Sequence, residues 1–108
     1  IELIHWLAKQ LDIKTVIRLS SDLNISGSNV QRLIDIIHAL NGNCFYEGSA
    51  GENYIDVSLF ERSGISVTFQ DYKHPVYPQL YGEFLSHLSI IDLLFNCGSD
   101  SLKVLASS

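Results

Sequence analysis

An α/β fold, built on a small, mostly parallel three-stranded sheet with crossover helices and a C-terminal helical segment, is what the sequence predicts. Two observations carry that expectation. Amphipathic helical stretches alternate with short β-branched or strictly alternating runs along the whole chain, the pattern of a sheet covered by crossovers. The connections between the apolar runs are also long enough to hold a helix, and such connections join parallel rather than hairpin neighbours.

The elements follow in order. Leu3, Ile4, Leu7 and Leu11 share one face of a helix over residues 2–11. Lys14-Thr15-Val16-Ile17-Arg18-Leu19 is a β-branched run and the first expected strand. A loop, Ser20-Ser21-Asp22-Leu23-Asn24, precedes Ser28-Asn29-Val30-Gln31, which has the form of a capping box. The helix so opened buries Val30, Leu33, Ile34 and Ile37, reaches Ala39 and is followed by Gly42. Cys44-Phe45-Tyr46 is the second expected strand and runs into Gly48-Ser49-Ala50-Gly51. Asp56 is placed to cap a short helix through Phe60 that stops at Gly64. Ile65-Ser66-Val67-Thr68-Phe69-Gln70 alternates strictly, as a strand with one buried face does. A loop over residues 71–81 holds both prolines, an apolar helix follows over 87–97, and Ser99 or Asp100 opens a last turn through Leu105. The whole reads as a single α/β domain over residues 1–108.

Ligands of parallel sheets sit beyond the carboxyl ends of the strands. The loops starting at Ser20, Gly48 and Asp71 are therefore expected to converge on one rim.

Composition narrows the function classes. A net charge of −5 with seven Lys and Arg in the chain lacks the dense basic surface that nucleic acid needs. No apolar run reaches the roughly 20 residues of a membrane span, and the first residues carry no basic leader. Cys44 and Cys97 form neither a disulfide framework nor a metal knuckle and are expected to be buried thiols in a reducing cytoplasm. His5, His38 and His87 stand too far apart in sequence to suggest metal ligands. The absence of Met and the helical periodicity of the first residues suggest a piece of something longer.

Specific strings carry a family resemblance. They are Leu19-Ser20-Ser21-Asp22-Leu23, Arg32-Leu33-Ile34-Asp35-Ile36, Tyr54-Ile55-Asp56 and Phe69-Gln70-Asp71-Tyr72. Lys73-His74-Pro75-Val76-Tyr77-Pro78-Gln79-Leu80-Tyr81-Gly82-Glu83-Phe84 and Leu88-Ser89-Ile90-Ile91-Asp92-Leu93-Leu94-Phe95-Asn96-Cys97-Gly98 complete the set. In order and almost without gaps, they resemble the C-terminal half of WbqC-like proteins. That resemblance implies a bacterial, cytoplasmic transferase of surface-polysaccharide (O-antigen or lipopolysaccharide) biosynthesis. It would pass a glycine or other acyl group to an activated amino sugar. The His-Gln-Pro-type opening of the family does not occur here, so the resemblance implies a fragment inactive alone, partnered by a first half or a second copy. The ligand it implies is a nucleotide sugar or another phosphorylated small molecule; no cofactor follows. The alternatives are a non-catalytic binding or assembly module and, from fold type alone, a nucleotidyltransferase-like enzyme.

The candidate residues each have a functional and a structural reading. Ser20, Ser21 and Asp22 offer hydroxyls and N–H groups to a phosphate or sugar, or close a local turn. Gly48, Ser49 and Gly51 permit close backbone approach to a ligand, or make an ordinary strand-to-helix turn; they lack the Lys-Ser/Thr of a Walker loop. Tyr54 stacks on a sugar or on its own loop. Arg32, in the first turn of its helix, faces a bound anion there or pairs with Asp35. Lys73 neutralises a phosphate and His74 acts as acid or base, while Tyr77 and Gln79 either bind ligand or strap an interface. His74 and Asp22 are the catalytic candidates. Asp92, inside an apolar helix, must be hydrogen-bonded and is expected to hold a neighbouring loop.

Overall fold

The computed structural model describes residues 1–107. The chain divides into two compact units, one made of residues 17–71 and the other of residues 1–16 together with those from 72 onward.

The 17–71 unit is built around two paired strands. Strand β1 (Cys44–Glu47) runs parallel to β2 (Ser66–Phe69), with Phe45 opposite Val67 and Glu47 opposite Phe69. Ile65, Val67 and Phe69 turn inward while Ser66, Thr68 and Gln70 are exposed, the alternation the sequence shows. Helices α2 (Asn29–Ala39) and α3 (Val57–Arg62) belong to the same unit. Its core gathers Ile34, Ile55, Phe60 and Ile65, with Val30, Leu33, Ile37, Phe45, Val67 and Phe69 packed around them. Phe45 and Phe60 stack with ring centroids 5.2 Å apart, tying β1 to α3.

Among the described residues the sheet has two strands, not three. Residues 14–19 make no ladder, and Val16 lies 74% exposed. β-branched residues favour strands by packing on a neighbouring pleated surface, and this run has none to pack on. Consequently Ser20–Leu23 forms a 3₁₀ turn that ends at Asn24, in the left-handed region, instead of capping a strand end. Cys44 is exposed, because odd positions of β1 face inward and even ones outward, and Cys97 is half-buried.

Helix α2 begins without a capping box. Asn29 has a φ of 53°, so the chain turns left-handed just after Ser28, whose side chain makes no cap bond. Gln31 bonds instead to Asp35, one turn along, at 2.8 Å. At the other end Asn41 rather than Gly42 takes the left-handed φ, of 55°. Asp56 does cap α3. Its Oδ1 accepts from the Ser58 N–H at 3.0 Å and from the Ser58 hydroxyl at 2.7 Å, and Gly64, φ 76°, follows the helix end.

The second unit holds α1 (Glu2–Gln10), α4 (Ile90–Cys97) and α5 (Ser101–Ala106). Leu11, Tyr77, Leu93 and Ser101 are its buried residues. Ser89 caps α4 by accepting from the Ile91 N–H at 3.2 Å. Ser101 donates to the Gly98 carbonyl at 2.7 Å, fixing the corner between α4 and α5. Among the described residues no helix is long and apolar enough to cross a membrane.

Candidate functional site

Residues 72–89 form a long segment without regular structure, held in shape by side chains. Tyr77, 5% exposed, donates its hydroxyl hydrogen to Asp92 Oδ2 at 2.9 Å. Gln79 Nε2 donates to the same oxygen at 3.0 Å. Asn96 Nδ2 donates to Asp92 Oδ1 at 3.1 Å. A carboxylate set in an apolar helix thus collects three donors, the satisfaction its position requires. Gln79 also bridges Leu85 in both directions. Its Nε2 donates to the Leu85 carbonyl at 3.0 Å and its Oε1 accepts from the Leu85 N–H at 2.9 Å.

Within this frame lies a cleft of about 320 Å³ lined by Tyr72, His74, Pro75, Tyr77, His87 and Ser89, with Leu88, Ile90, Leu93 and Leu105 supplying apolar floor. His74 sits among rings, with centroids 5.9 Å from Tyr72, 6.0 Å from Phe84, 6.2 Å from Tyr77 and 4.7 Å from His87. Its Nδ1 lies 2.9 Å from the Pro75 carbonyl, and its Nε2 accepts from the His87 backbone N–H at 3.0 Å. Burial, and next the Asp92 carboxylate at its hydroxyl, push the Tyr77 phenol above its ordinary pKa of 10.0.

Of the sequence candidates, His74, Tyr77, Gln79 and Lys73 fall in this unit. His74 and Tyr77 line the cleft. Tyr77 and Gln79 are bound to Asp92, and Lys73 is exposed. His87 was missed, because it lies 13 residues beyond His74 and no repeat or spacing rule links such a pair. A second cleft of about 340 Å³, between α1 and α4, has only Gln10 and Ser99 as polar lining beside Trp6, Leu94 and Phe95. It offers little to chemistry.

The other candidates lie in the 17–71 unit. Ser21 donates to Asp22 Oδ1 at 3.3 Å and the Asp22 N–H bonds back to the Leu19 carbonyl at 3.1 Å, so Ser20, Ser21 and Asp22 close an exposed local turn. Arg32 spends Nη1 on the Ile25 carbonyl, bracing the loop before its own helix. Gln70 donates its N–H to the Glu47 carbonyl at 2.8 Å, which sets the loops at Gly48 and Asp71 side by side at the carboxyl ends of β1 and β2. The Gly48 N–H is taken by Glu47 Oε1 at 3.0 Å. Ser49 opens a 3₁₀ turn in which Gly51 is buried, where a Cβ would strike Glu47 Cγ and crowd Phe69 Cε1. The glycine serves close packing here. Tyr54 is exposed beside a cleft of about 360 Å³ lined by Asn29, Val30, Leu33 and Ile55. Among the described residues no group of three His, Cys, Asp or Glu side chains is placed to hold a metal ion.

Comparison with known proteins gives these residues a setting. The chain is 30% identical over 100 residues to the uncharacterized protein Rv1507c of Mycobacterium tuberculosis (strain ATCC 25618 / H37Rv), a match covering 92% of this chain and 43% of that protein. The chain therefore spans less than half the length of this curated relative. No solved structure matches this chain. The profile of the WbqC-like protein family matches residues 1–104. With nearly its whole length under that profile, the chain belongs to the WbqC-like protein family.

Proposed function

We propose that this chain is part of a transferase of bacterial surface-polysaccharide biosynthesis, O-antigen or lipopolysaccharide, and that its His74 cleft takes the amino-sugar ring of a nucleotide-linked sugar. The observation that carries the reading is the cleft's lining. A pyranose has apolar C–H faces and a polar rim, and a site of about 320 Å³ lined by aromatic and aliphatic side chains together with two imidazoles and Ser89 offers partners for both. Lys73, next to the cleft residue His74 in sequence, supplies a charge for the linked phosphates. In the reaction the sugar amine forms a bond to an acyl carbonyl carbon, such as that of an activated glycine. The carbonyl's bond to its leaving group breaks, and the amine's proton passes to a base. Calorimetric titration of the chain with UDP-linked amino sugars, UDP and the free sugars tests it. Sub-millimolar binding of the UDP-amino sugars that His74→Ala weakens is expected. Binding no tighter than that of UDP alone would overturn the sugar assignment.

A second reading, a non-catalytic assembly module, is favoured by one observation. Leu80 and Tyr81, 82% and 87% exposed, crown a loop that Gln79 and Asp92 hold stiff, the form of an interface strap. Failure of every nucleotide sugar to bind, together with self-association that Leu80→Ser and Tyr81→Ser abolish, would replace the first reading with this one.

A further inference from the structure

The two imidazoles of the cleft are close neighbours but not equivalent. A carbonyl oxygen can only accept, so the short contact to Pro75 O requires that His74 Nδ1 carry the ring proton. A backbone N–H can only donate, so the bond from His87 N requires a lone pair on His74 Nε2. Both ring nitrogens are thereby committed to partners that cannot reverse their roles. The tautomer of His74 is fixed by the main chain, and moving a proton on or off the ring would break a backbone contact.

His87 has the opposite character. Its Nδ1 lies 2.8 Å from the Ser86 hydroxyl, a group that donates or accepts with equal ease. Its Nε2 has no partner among the described residues, and the residue lines the cleft and is exposed. With Ser86 able to serve either tautomer, Nε2 can offer the cleft a lone pair or an N–H. The backbone at His87 is left-handed, with φ 59°, a conformation uncommon for residues with a Cβ, so contacts that hold it there count. The bond from its N–H to His74 Nε2 is one such hold, and the ring contact at 4.7 Å is another.

From this we propose that His87 is the ligand-contacting imidazole of the cleft, able to accept or deliver a proton at Nε2, and that His74 is its positioning residue. The ligand class, a sugar hydroxyl or amine, rests on the reading of the cleft given above; the division of labour between the two rings does not.

The test separates these two dependences. Diethyl pyrocarbonate acylates an imidazole through a free lone pair, so mass spectrometry of the treated chain should show His87 modified at least tenfold faster than His74. Long-range ¹H–¹⁵N correlation of the folded chain should show His74 as the Nδ1–H tautomer. In His74→Ala the ring signals of His87 should shift. In His74→Gln, whose Oε1 can reach the place of Nε2 and accept from the His87 N–H, the diethyl pyrocarbonate reactivity of His87 should stay near that of the parent. Equal or faster modification of His74, or His87 signals indifferent to His74→Ala, would overturn the proposal. In the ligand arm, a UDP-amino sugar that binds should protect His87 and lose at least tenfold in affinity in His87→Ala. Binding without protection at His87 would also overturn it. Binding by no nucleotide sugar would count against the sugar reading alone, since the reactivity and tautomer results still decide between the two rings.

Discussion

Tyr77 donates to Asp92 Oδ2 at 2.9 Å, and this one bond ties a segment without regular structure to the middle of helix α4. Removing the hydroxyl with Tyr77→Phe leaves Gln79 and Asn96 on the carboxylate, so the expected loss is about 1–2 kcal/mol. Asp92→Ala takes the only acceptor from Tyr77 and one acceptor each from Gln79 and Asn96, which keep a backbone carbonyl, and should cost about 2–4 kcal/mol. Urea denaturation of the two variants beside the parent would check the order. A loss for Tyr77→Phe as large as that for Asp92→Ala would mean that Gln79 and Asn96 contribute nothing.

The same hydroxyl gives a pH dependence. The fold holds Tyr77 as the neutral phenol and raises its pKa above 10.0, so the unfolded chain releases this proton first. The contribution is therefore complete below the ordinary phenol value and declines as pH rises beyond it. Denaturation midpoints measured from pH 8 to about pH 11 should fall at the alkaline end, and Tyr77→Phe should flatten that fall. An identical alkaline slope in the variant would remove Tyr77 as its source.

Asp56 acts at the other end of the scale. The hydrogen bond from the Ser58 side chain, with smaller help from the Ser58 N–H and Arg62, outweighs desolvation and holds its pKa below the ordinary 3.8. A carboxylate favoured in the folded state stabilises above the ordinary value, and that contribution is lost as pH falls through the lowered one. Asp56→Ala should lower the midpoint at neutral pH and weaken the acid dependence below pH 3.8. An acid limb unchanged in the variant would show that the α3 cap does not titrate with folding.

At α2 the residue that matters is Asn29, not Ser28. Ser28 makes no cap bond with its side chain, so Ser28→Ala should stay within about 0.5 kcal/mol of the parent. Asn29 at φ 53° tolerates Gly without loss, while Asn29→Val should cost about 1–2 kcal/mol, because a β-branched side chain resists that backbone. Equal midpoints for the Gly and Val variants would contradict the left-handed turn.

Gly51→Ala should cost about 1–3 kcal/mol by overpacking, because the new methyl meets Glu47, Phe69 at 3.1 Å and Ile55 at 3.2 Å. Adding Phe69→Leu to Gly51→Ala should recover part of that loss. A neutral Gly51→Ala would show that the packing at this position does not require glycine.

Much of the 17–71 unit is legible from local pattern. Ile65, Val67 and Phe69 alternate with polar residues, and Asp56 stands two residues before the Ser58 N–H it caps; both signals are short-range and chemically specific. The run over residues 14–19 misleads because β-branching reports suitability for a sheet and not the presence of a neighbour strand. Ser28 misleads because a capping box assumes an extended residue feeding straight into the helix, and the left-handed Asn29 breaks that geometry. Asp92 could be read as a loop anchor, since an apolar helix cannot leave a carboxylate unpaired, yet Tyr77 and Gln79 as its partners could not be named. The pairing of His74 with His87 left no trace in sequence, because it depends on the path of an irregular segment.

Gln79 closes that path into a loop of fixed length. Its amide meets both the N–H and the carbonyl of Leu85, as a neighbouring peptide group would, so the residues between them form a ring latched without a covalent bond. Surface segments commonly absorb insertions and deletions among relatives, but here one residue more or fewer moves Leu85 out of register with the amide. Length variation among related chains should then fall outside this ring, and a natural change of Gln79 should coincide with a change in the number of residues it encloses.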